Sequence, residues 1–262
     1  MRLAWPVFNS GISGMSFAFP QEKQYLRRFR ILGIDKDRQQ TLGCFKYDSA
    51  VSTMPDVEAV RNKYCFPSDR RLICFGSTHP GEETQILEAV KPLLEKMNIG
   101  IIIAPRHVKR TSEVEAILKE RGFSYKKLSE PECGKSNIVL VDSMGVLRDL
   151  YAVSDLAYVG GSLIKRGGHN LMEPAAFSKP VIAGPHNFNF RYEVMALNRE
   201  SAIKIVNGPT ELQALIENWY ESPDTYAEMG KRARQVLDAM SGATGRTISA
   251  LQKLGFLPPC QM

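Results

Sequence analysis

Residues 71–104 read RLICFGSTHPGEETQILEAVKPLLEKMNIGIIIA. The apolar run Arg71–Phe75 leads into a loop of small and polar residues. Ile86, Leu87, Val90, Leu93, Leu94 and Met97 then recur at helical spacing, and a second apolar run, Ile101–Ala104, closes the stretch. Short runs without polar alternation predict strands buried on both faces. A helix joining two of them predicts a βαβ unit with parallel strands.

The pattern continues outward. Ile138–Val141, Leu156–Val159, Pro180–Ala183 and Ala202–Val206 are further short runs, and Val114, Ile117 and Leu118, then Val146, Leu147 and Leu150, give apolar helix faces between them. The fold class is therefore α/β, a Rossmann-like parallel sheet with helices on both faces, over residues 67–247. Helices are also predicted over Glu211–Leu215, Tyr226–Met240 and Ile248–Leu254, with residues 248–262 as a C-terminal helix and tail. Residues 1–66 read differently. They hold a basic helix over Lys23–Arg30, a turn-rich piece over Leu42–Met54, a polar helix over Pro55–Tyr64 and no core of their own.

Composition agrees with a globular chain. Of 262 residues 44% are hydrophobic and 24% charged, which excludes disordered, collagenous and coiled-coil classes. An excess of 34 basic over 28 acidic residues, net +6, favours an anionic ligand without selecting one. Basic residues do not interleave with aromatics along one segment, so no nucleic-acid partner is expected. Five scattered cysteines without C-x-x-C spacing suggest neither a disulfide framework nor a zinc site. The chain has no apolar run of spanning length and no signal-peptide pattern, so it reads as soluble and cytoplasmic.

In a parallel sheet the loops after the strands hold the chemistry. Gly76-Ser77-Thr78-His79-Pro80-Gly81-Glu82-Glu83 reads first as a capped helix entry with acids in its first turn. Pro105-Arg106-His107 places an arginine at a strand end, where its fork suits a phosphate or simply lies at the surface. Asp142-Ser143-Met144-Gly145-Val146 is either a ligand loop or an ordinary strand-to-helix turn. The densest loop is Gly160-Gly161-Ser162-Leu163-Ile164-Lys165-Arg166-Gly167-Gly168-His169-Asn170-Leu171-Met172-Glu173-Pro174. Free backbone N–H groups, two basic residues and a following helix N-terminus are the physical requirements of a phosphate cradle. Asn170 three residues before Glu173 equally suits a capping box. No Walker, G-x-G-x-x-G or G-x-S-x-G pattern is present, Asp35-Lys36-Asp37 reads as a solvated turn, and no histidine spacing suggests a metal. No cofactor is expected.

Six ordered strings resemble the 3-deoxy-D-manno-octulosonic acid (Kdo) transferase family of lipopolysaccharide synthesis. They are Gly43-Cys44-Phe45-Lys46-Tyr47-Asp48, Gly76 through Glu83, Pro105 through His107, Asp142 through Gly145, Gly160 through Pro174, and Gly184-Pro185-His186-Asn187-Phe188-Asn189-Phe190. The resemblance implies the C-terminal half of a GT-B glycosyltransferase, covering roughly residues 21–240. It implies that Pro105 and Arg106, Met144, Gly145 and Val146, and Asn170, Leu171, Met172 and Glu173 contact the CMP part of a CMP-Kdo donor, that Lys46 stabilises the transition state, and that no metal is needed.

The family departs from this chain in having Asn at Cys44, Glu at Val146 and often Pro at Leu171. Its N-terminal half carries a membrane anchor, the site for the lipid A precursor acceptor and the catalytic base. Residues 1–66 then read as a remnant of that half and a linker, and this chain alone is expected to be inactive, with apolar surface that favours self-association. In the full-length family the location is the cytoplasmic side of the inner membrane. Alternatives are a GT-B glycosyltransferase or epimerase domain using a UDP-sugar, and a non-catalytic nucleotide-binding module.

Overall fold

The computed structural model describes residues 14–50, 54–130 and 136–258. The chain divides into two compact units, one of residues 53–237 and one joining residues before 53 to those after 237. Its α-helices in chain order are α1 (Leu26–Ile31), α2 (Phe45–Ala50), α3 (Val57–Lys63), α4 (Glu82–Val90), α5 (Thr111–Glu120), α6 (Leu147–Val153), α7 (Met172–Ala175), α8 (Arg191–Arg199), α9 (Pro209–Glu221), α10 (Pro223–Met240) and α11 (Ala243–Lys253).

The unit of residues 53–237 is built on a seven-stranded sheet. Its strands are β1 (Arg71–Thr78), β2 (Ile99–Pro105), β3 (Tyr125–Lys127), β4 (Ile138–Leu140), β5 (Leu156–Val159), β6 (Val181–Ala183) and β7 (Ile203–Ile205). They lie in the order β3-β4-β2-β1-β5-β6-β7, every neighbouring pair parallel. Alternate strand residues feed two cores. Ile73, Phe75, Ile101, Ile103, Ile138 and Leu140 join Ile86, Val90, Leu118 and Trp219 in one. Leu72, Cys74, Ile102, Ala104, Val139 and Val141 join Val60, Leu150, Tyr151 and Phe177 in the other. Both faces are thus covered over the central strands, which is why β1, β2, β4, β5 and β6 read as unbroken apolar runs, whereas edge strand β7 carries the exposed Lys204.

Two local expectations change. Strand β3, Tyr125-Lys126-Lys127, carries no apolar run, because it is an edge strand. Its buried middle residue, Lys126, donates its amine to the Tyr64 carbonyl at 2.9 Å. Helix α4 ends at Val90, so Leu93, Leu94 and Met97 continue the apolar face from the turns that follow.

In the other unit the N-terminal residues have no separate core, as expected, but bury apolar side chains in one unit with the C-terminal helix α11. Ile34, Leu42, Cys44 and Tyr47 are buried, as are Ala243 and Ala250 of α11. The stretch read as turns holds α2. From that helix, Asp48 caps α11, accepting the amides of Gly242 (2.6 Å), Ala243 (3.2 Å) and Thr244 (2.6 Å) and the Thr244 hydroxyl (2.6 Å). A carboxylate at a helix N-terminus satisfies orphan amides and complements the helix dipole. Burial pushes the Asp48 pKa up, but these four bonds outweigh it and hold the carboxyl below its ordinary value.

Cysteine pairing is a further correction. Cys65 is disulfide-bonded, while Cys44 and Cys74 are free thiols. Among the described residues no helix is long and apolar enough to cross a membrane.

Candidate functional site

Because all strands run one way, the loops after β1, β2, β4, β5 and β6 share one edge of the sheet. Strand β1 has β2 on one flank and β5 on the other, so the connections after β1 and after β5 lead to opposite sides. At such a switch point the outgoing loops splay apart and leave a crevice.

The root of that crevice is a buried carboxylate. Glu82, the first residue of α4, is fully buried and reaches across from the β1 loop to the β5 loop. Its Oε1 accepts the Tyr158 hydroxyl (2.6 Å) and the amides of Ser162 and Leu163 (3.0 Å each); its Oε2 accepts the Gly161 amide (2.7 Å) and the His79 amide (3.2 Å). The glycine-rich loop does form a concave array of N–H groups, as expected for anion binding. Its occupant at Gly161–Leu163 is Glu82. The expectation that these amides are free for a ligand phosphate is therefore corrected at those three positions.

Beside it, Glu83 is also fully buried. It accepts the Thr78 hydroxyl at 2.9 Å and a two-pronged bond from Arg110 at 2.7 and 3.3 Å. In the sequence both glutamates look like ordinary first-turn acids. The missed signal was a pair of acids after a strand otherwise rich in apolar residues, where burial demands partners.

The Gly184–Phe190 segment shores up the same loop. The Gly184 amide donates to the Ser162 hydroxyl (2.7 Å), the His186 amide to the Ser162 carbonyl (2.9 Å) and the Asn189 amide to the Gly167 carbonyl (3.2 Å). Gly168 has φ of +76°, and a Cβ there would lie 2.5 Å from Asn187 Oδ1, so no other residue fits without displacement. At least this glycine serves loop-to-loop packing rather than approach to a ligand.

The rim is open. Arg106 follows β2 and is exposed, its amide tied to the Thr78 carbonyl at 2.9 Å. Its charge helps depress His169 and opposes the rise at Glu173. Asn170 accepts the Met172 amide at 3.2 Å and donates its side-chain N–H to Glu173 Oε1 at 3.4 Å. The expected capping box does not form, since Asn170 takes the Met172 amide and the Glu173 carboxylate bonds a side chain. Burial raises the Glu173 carboxyl above its ordinary value, against the Asn170 bond and Arg106. Helix α7 is one turn, Met172–Ala175, too short for the dipole-bearing N-terminus expected behind the loop. Leu171 and Met172 are fully buried.

On the β4 side Met144 is 86% exposed, Gly145 adopts φ of +80°, and Val146 is the residue from which α6 starts. Three histidines complete the rim. The Nε2 atoms of His79 and His169 lie 2.8 Å apart, one donating to the other, and His107 stands edge-on to His79 at 6.2 Å between ring centres. Burial, with His79, Arg106 and His107, pushes the His169 pKa down to about 4, and burial also lowers His79. Among the described residues no group of three His, Cys, Asp or Glu side chains is placed to hold a metal ion.

Lys46 lies outside this unit. It is exposed on α2, with Nζ 5.1 Å from the centre of the Tyr47 ring.

No protein-family model matches the sequence. Known proteins do. The C-terminal CMP-Kdo binding domain of WaaA from Acinetobacter baumannii superposes with a TM-score of 0.64 at 30% identity, over 70% of this chain and 97% of that domain. The 3-deoxy-D-manno-octulosonic acid transferase of Haemophilus influenzae is 33% identical over 246 residues, which is 92% of this chain and 57% of the relative. A bifunctional glycosyltransferase/methyltransferase of Fusobacterium nucleatum is 37% identical over 188 residues, 70% of this chain and 29% of the relative. A UDP complex of S. aureus MnaA, with a TM-score of 0.61 at 13% identity, shares the fold.

The doubly wound parallel sheet and its strand-end crevice are those of the C-terminal, Rossmann-like half of a GT-B glycosyltransferase. Within that class, the chain belongs to the 3-deoxy-D-manno-octulosonic acid transferase family. It spans little more than half the length of the Haemophilus relative.

Proposed function

We propose that the unit of residues 53–237 binds CMP-Kdo, and that the protein takes part in transferring Kdo to a hydroxyl of a lipid A precursor. The observation that carries the reading is the match to a CMP-Kdo binding domain at 30% identity, with Arg106 after β2 and the Asn170–Glu173 segment after β5 both at the C-terminal edge of the sheet. Pro105 and Arg106 hold the phosphate side of CMP; Met144, Gly145, Val146 and the segment Asn170, Leu171, Met172 and Glu173 hold the rest of the nucleotide. Leu171 and Met172, being buried, act through their backbone.

Transfer breaks the bond between the sugar's anomeric carbon and a phosphate oxygen, and CMP leaves as a phosphate monoester. Negative charge grows on that phosphate, so cationic donors already aimed at it lower the barrier. A single guanidinium fork suits a leaving group with one phosphate, which supports a metal-independent reaction. Lys46 is assigned the stabilisation of the transition state on the strength of the family string alone. The base that deprotonates the acceptor hydroxyl, and contact with the inner-membrane surface, are assigned to sequence that the longer relatives carry outside the matched region.

Calorimetric titration of the full chain with CMP and UMP tests the reading. Saturable binding with preference for CMP is the expected result; equal affinities would point to a general nucleotide site instead.

A further inference from the structure

The glycine-rich loop is tied to the β1 loop at two heights. Its first part is held by Glu82, which takes the amides of Gly161, Ser162 and Leu163. Its second part, Lys165 to Glu173, is joined to the β1 loop, among the described residues, by a single hydrogen bond, between the Nε2 atoms of His79 and His169 at 2.8 Å. The two ring planes lie within 2° of each other with centres 5.1 Å apart, so the nitrogens meet head to head. Both rings rest on the Gly161 backbone, where a Cβ would come to 3.1 Å from His169 Cδ2 and 3.4 Å from His79 Cδ2. Burial disfavours the imidazolium form of both, and the pKa of His169 falls to about 4. Near neutral pH the pair is therefore two uncharged imidazoles, one protonated at Nε2 and donating, the other protonated at Nδ1 and accepting.

His79 stands between the two segments assigned to the nucleotide. The residue before it, Thr78, accepts the Arg106 amide on its carbonyl at 2.9 Å, while the His79 ring reaches His169, the residue before Asn170. Its own amide is fixed by Glu82 Oε2 at 3.2 Å.

We propose that the His79–His169 pair is a clasp that sets the span between Arg106 and the Asn170–Glu173 segment, which makes the two histidines positioning residues for a ligand that touches both. The inference rests on the donor reading above and adds how that site is preorganised. A ligand that bridges two loops binds more tightly when their separation is fixed beforehand, because less ordering remains to be done on binding. A ligand that touches one loop gains nothing from the clasp.

The test compares CMP with cytidine, which lacks the phosphate assigned to Arg106, on the full chain and two substitutions at each histidine. Glutamine carries its amide at the reach of Nε2 and can remake the bond; asparagine carries its amide only at the reach of Nδ1 and cannot. His79→Asn should weaken CMP by about five- to tenfold, one hydrogen bond's worth, and cytidine by less than about twofold. His79→Gln should stay within about twofold of the unaltered chain for both probes. His169→Asn and His169→Gln should repeat the pattern from the other loop, and they carry the test if a His79 variant does not fold. Nitrogen-15 spectra of the unaltered chain should show one ring of the pair protonated at Nε2 and the other at Nδ1. Unchanged CMP affinity in the asparagine variants, equal losses for CMP and cytidine, glutamine variants as weak as the asparagine ones, or two Nε2-protonated rings would overturn the clasp and leave the CMP reading standing. Absence of CMP binding by the unaltered chain would overturn both.

Discussion

The two ends of the glycine-rich loop are built for different purposes. At the root, Gly161, Ser162 and Leu163 give their amides to Glu82, a carboxylate sealed from water with five hydrogen bonds. At the rim, Arg166, His169 and Asn170 stand open or half-open, and Glu173 has one long bond from Asn170. One loop thus contains both an anion site filled by the protein's own side chain and an open stretch with exposed Lys165 and Arg166, and the internal anion holds the shape of that loop.

This division predicts that damage to the root appears as lost stability and damage to the rim as lost affinity. The largest effect is expected from Glu82→Gln, which places an N–H donor among amides that need an acceptor. Urea unfolding should show a loss of about 3 kcal/mol or more, since several charge-assisted bonds are broken in a buried site. A loss within 0.5 kcal/mol, at the scale of about an ordinary surface change, would deny Glu82 its anchoring role.

Arg106→Ala should leave unfolding unchanged and weaken CMP by about 10- to 100-fold, one charged hydrogen bond's worth. The comparison breaks if stability falls and affinity does not.

A third carboxylate extends the contrast to the other unit. Asp48→Ala removes the cap of α11 and should cost about 1 kcal/mol. Because the folded-state pKa of Asp48 is depressed, its contribution is complete above the unfolded value near 4 and fades as pH drops through the folded value. Wild type and variant should therefore converge in acid-unfolding measurements at low pH; a gap that persists unchanged there would remove the carboxylate from the explanation.

The smallest effect is expected at Val146, where the family has Glu. Val146→Glu should strengthen CMP binding by about two- to fivefold, the gain of one exposed polar contact. Weaker binding would show that the apolar residue belongs to this chain's own pocket.

Much of this architecture is legible in the sequence, for a physical reason. Strands buried on both faces have to be apolar throughout, so β1, β2, β4, β5 and β6 announce themselves, while edge strand β7 shows only as the apolar residues around Lys204, and their parallel run assigns the loops to one edge. Edge strand β3 pairs on one side only and tolerates Tyr125-Lys126-Lys127, which leaves no apolar signature. The small unit escaped because its core joins α2 to α11 across almost the whole chain, beyond the reach of local periodicity. At the site, Arg106, Asn170 and Glu173 are legible in the sequence as residues of strand-end loops on one edge of the sheet. Glu82 was not, because an acid in the first turn of a helix looks the same whether it faces water or is buried under five donors. The histidines carry no metal-ligand spacing in the sequence, and only folding brings His79, His107 and His169 together.

The most direct test of the whole account is a crystal structure of the chain grown with millimolar CMP. The account predicts the phosphate beside the Arg106 guanidinium, the nucleotide lying along Met144–Val146 and Asn170–Glu173, and Glu82 still locked to the Gly161–Leu163 amides. A phosphate seated on those amides with Glu82 displaced, or CMP bound away from the C-terminal edge of the sheet, would contradict it.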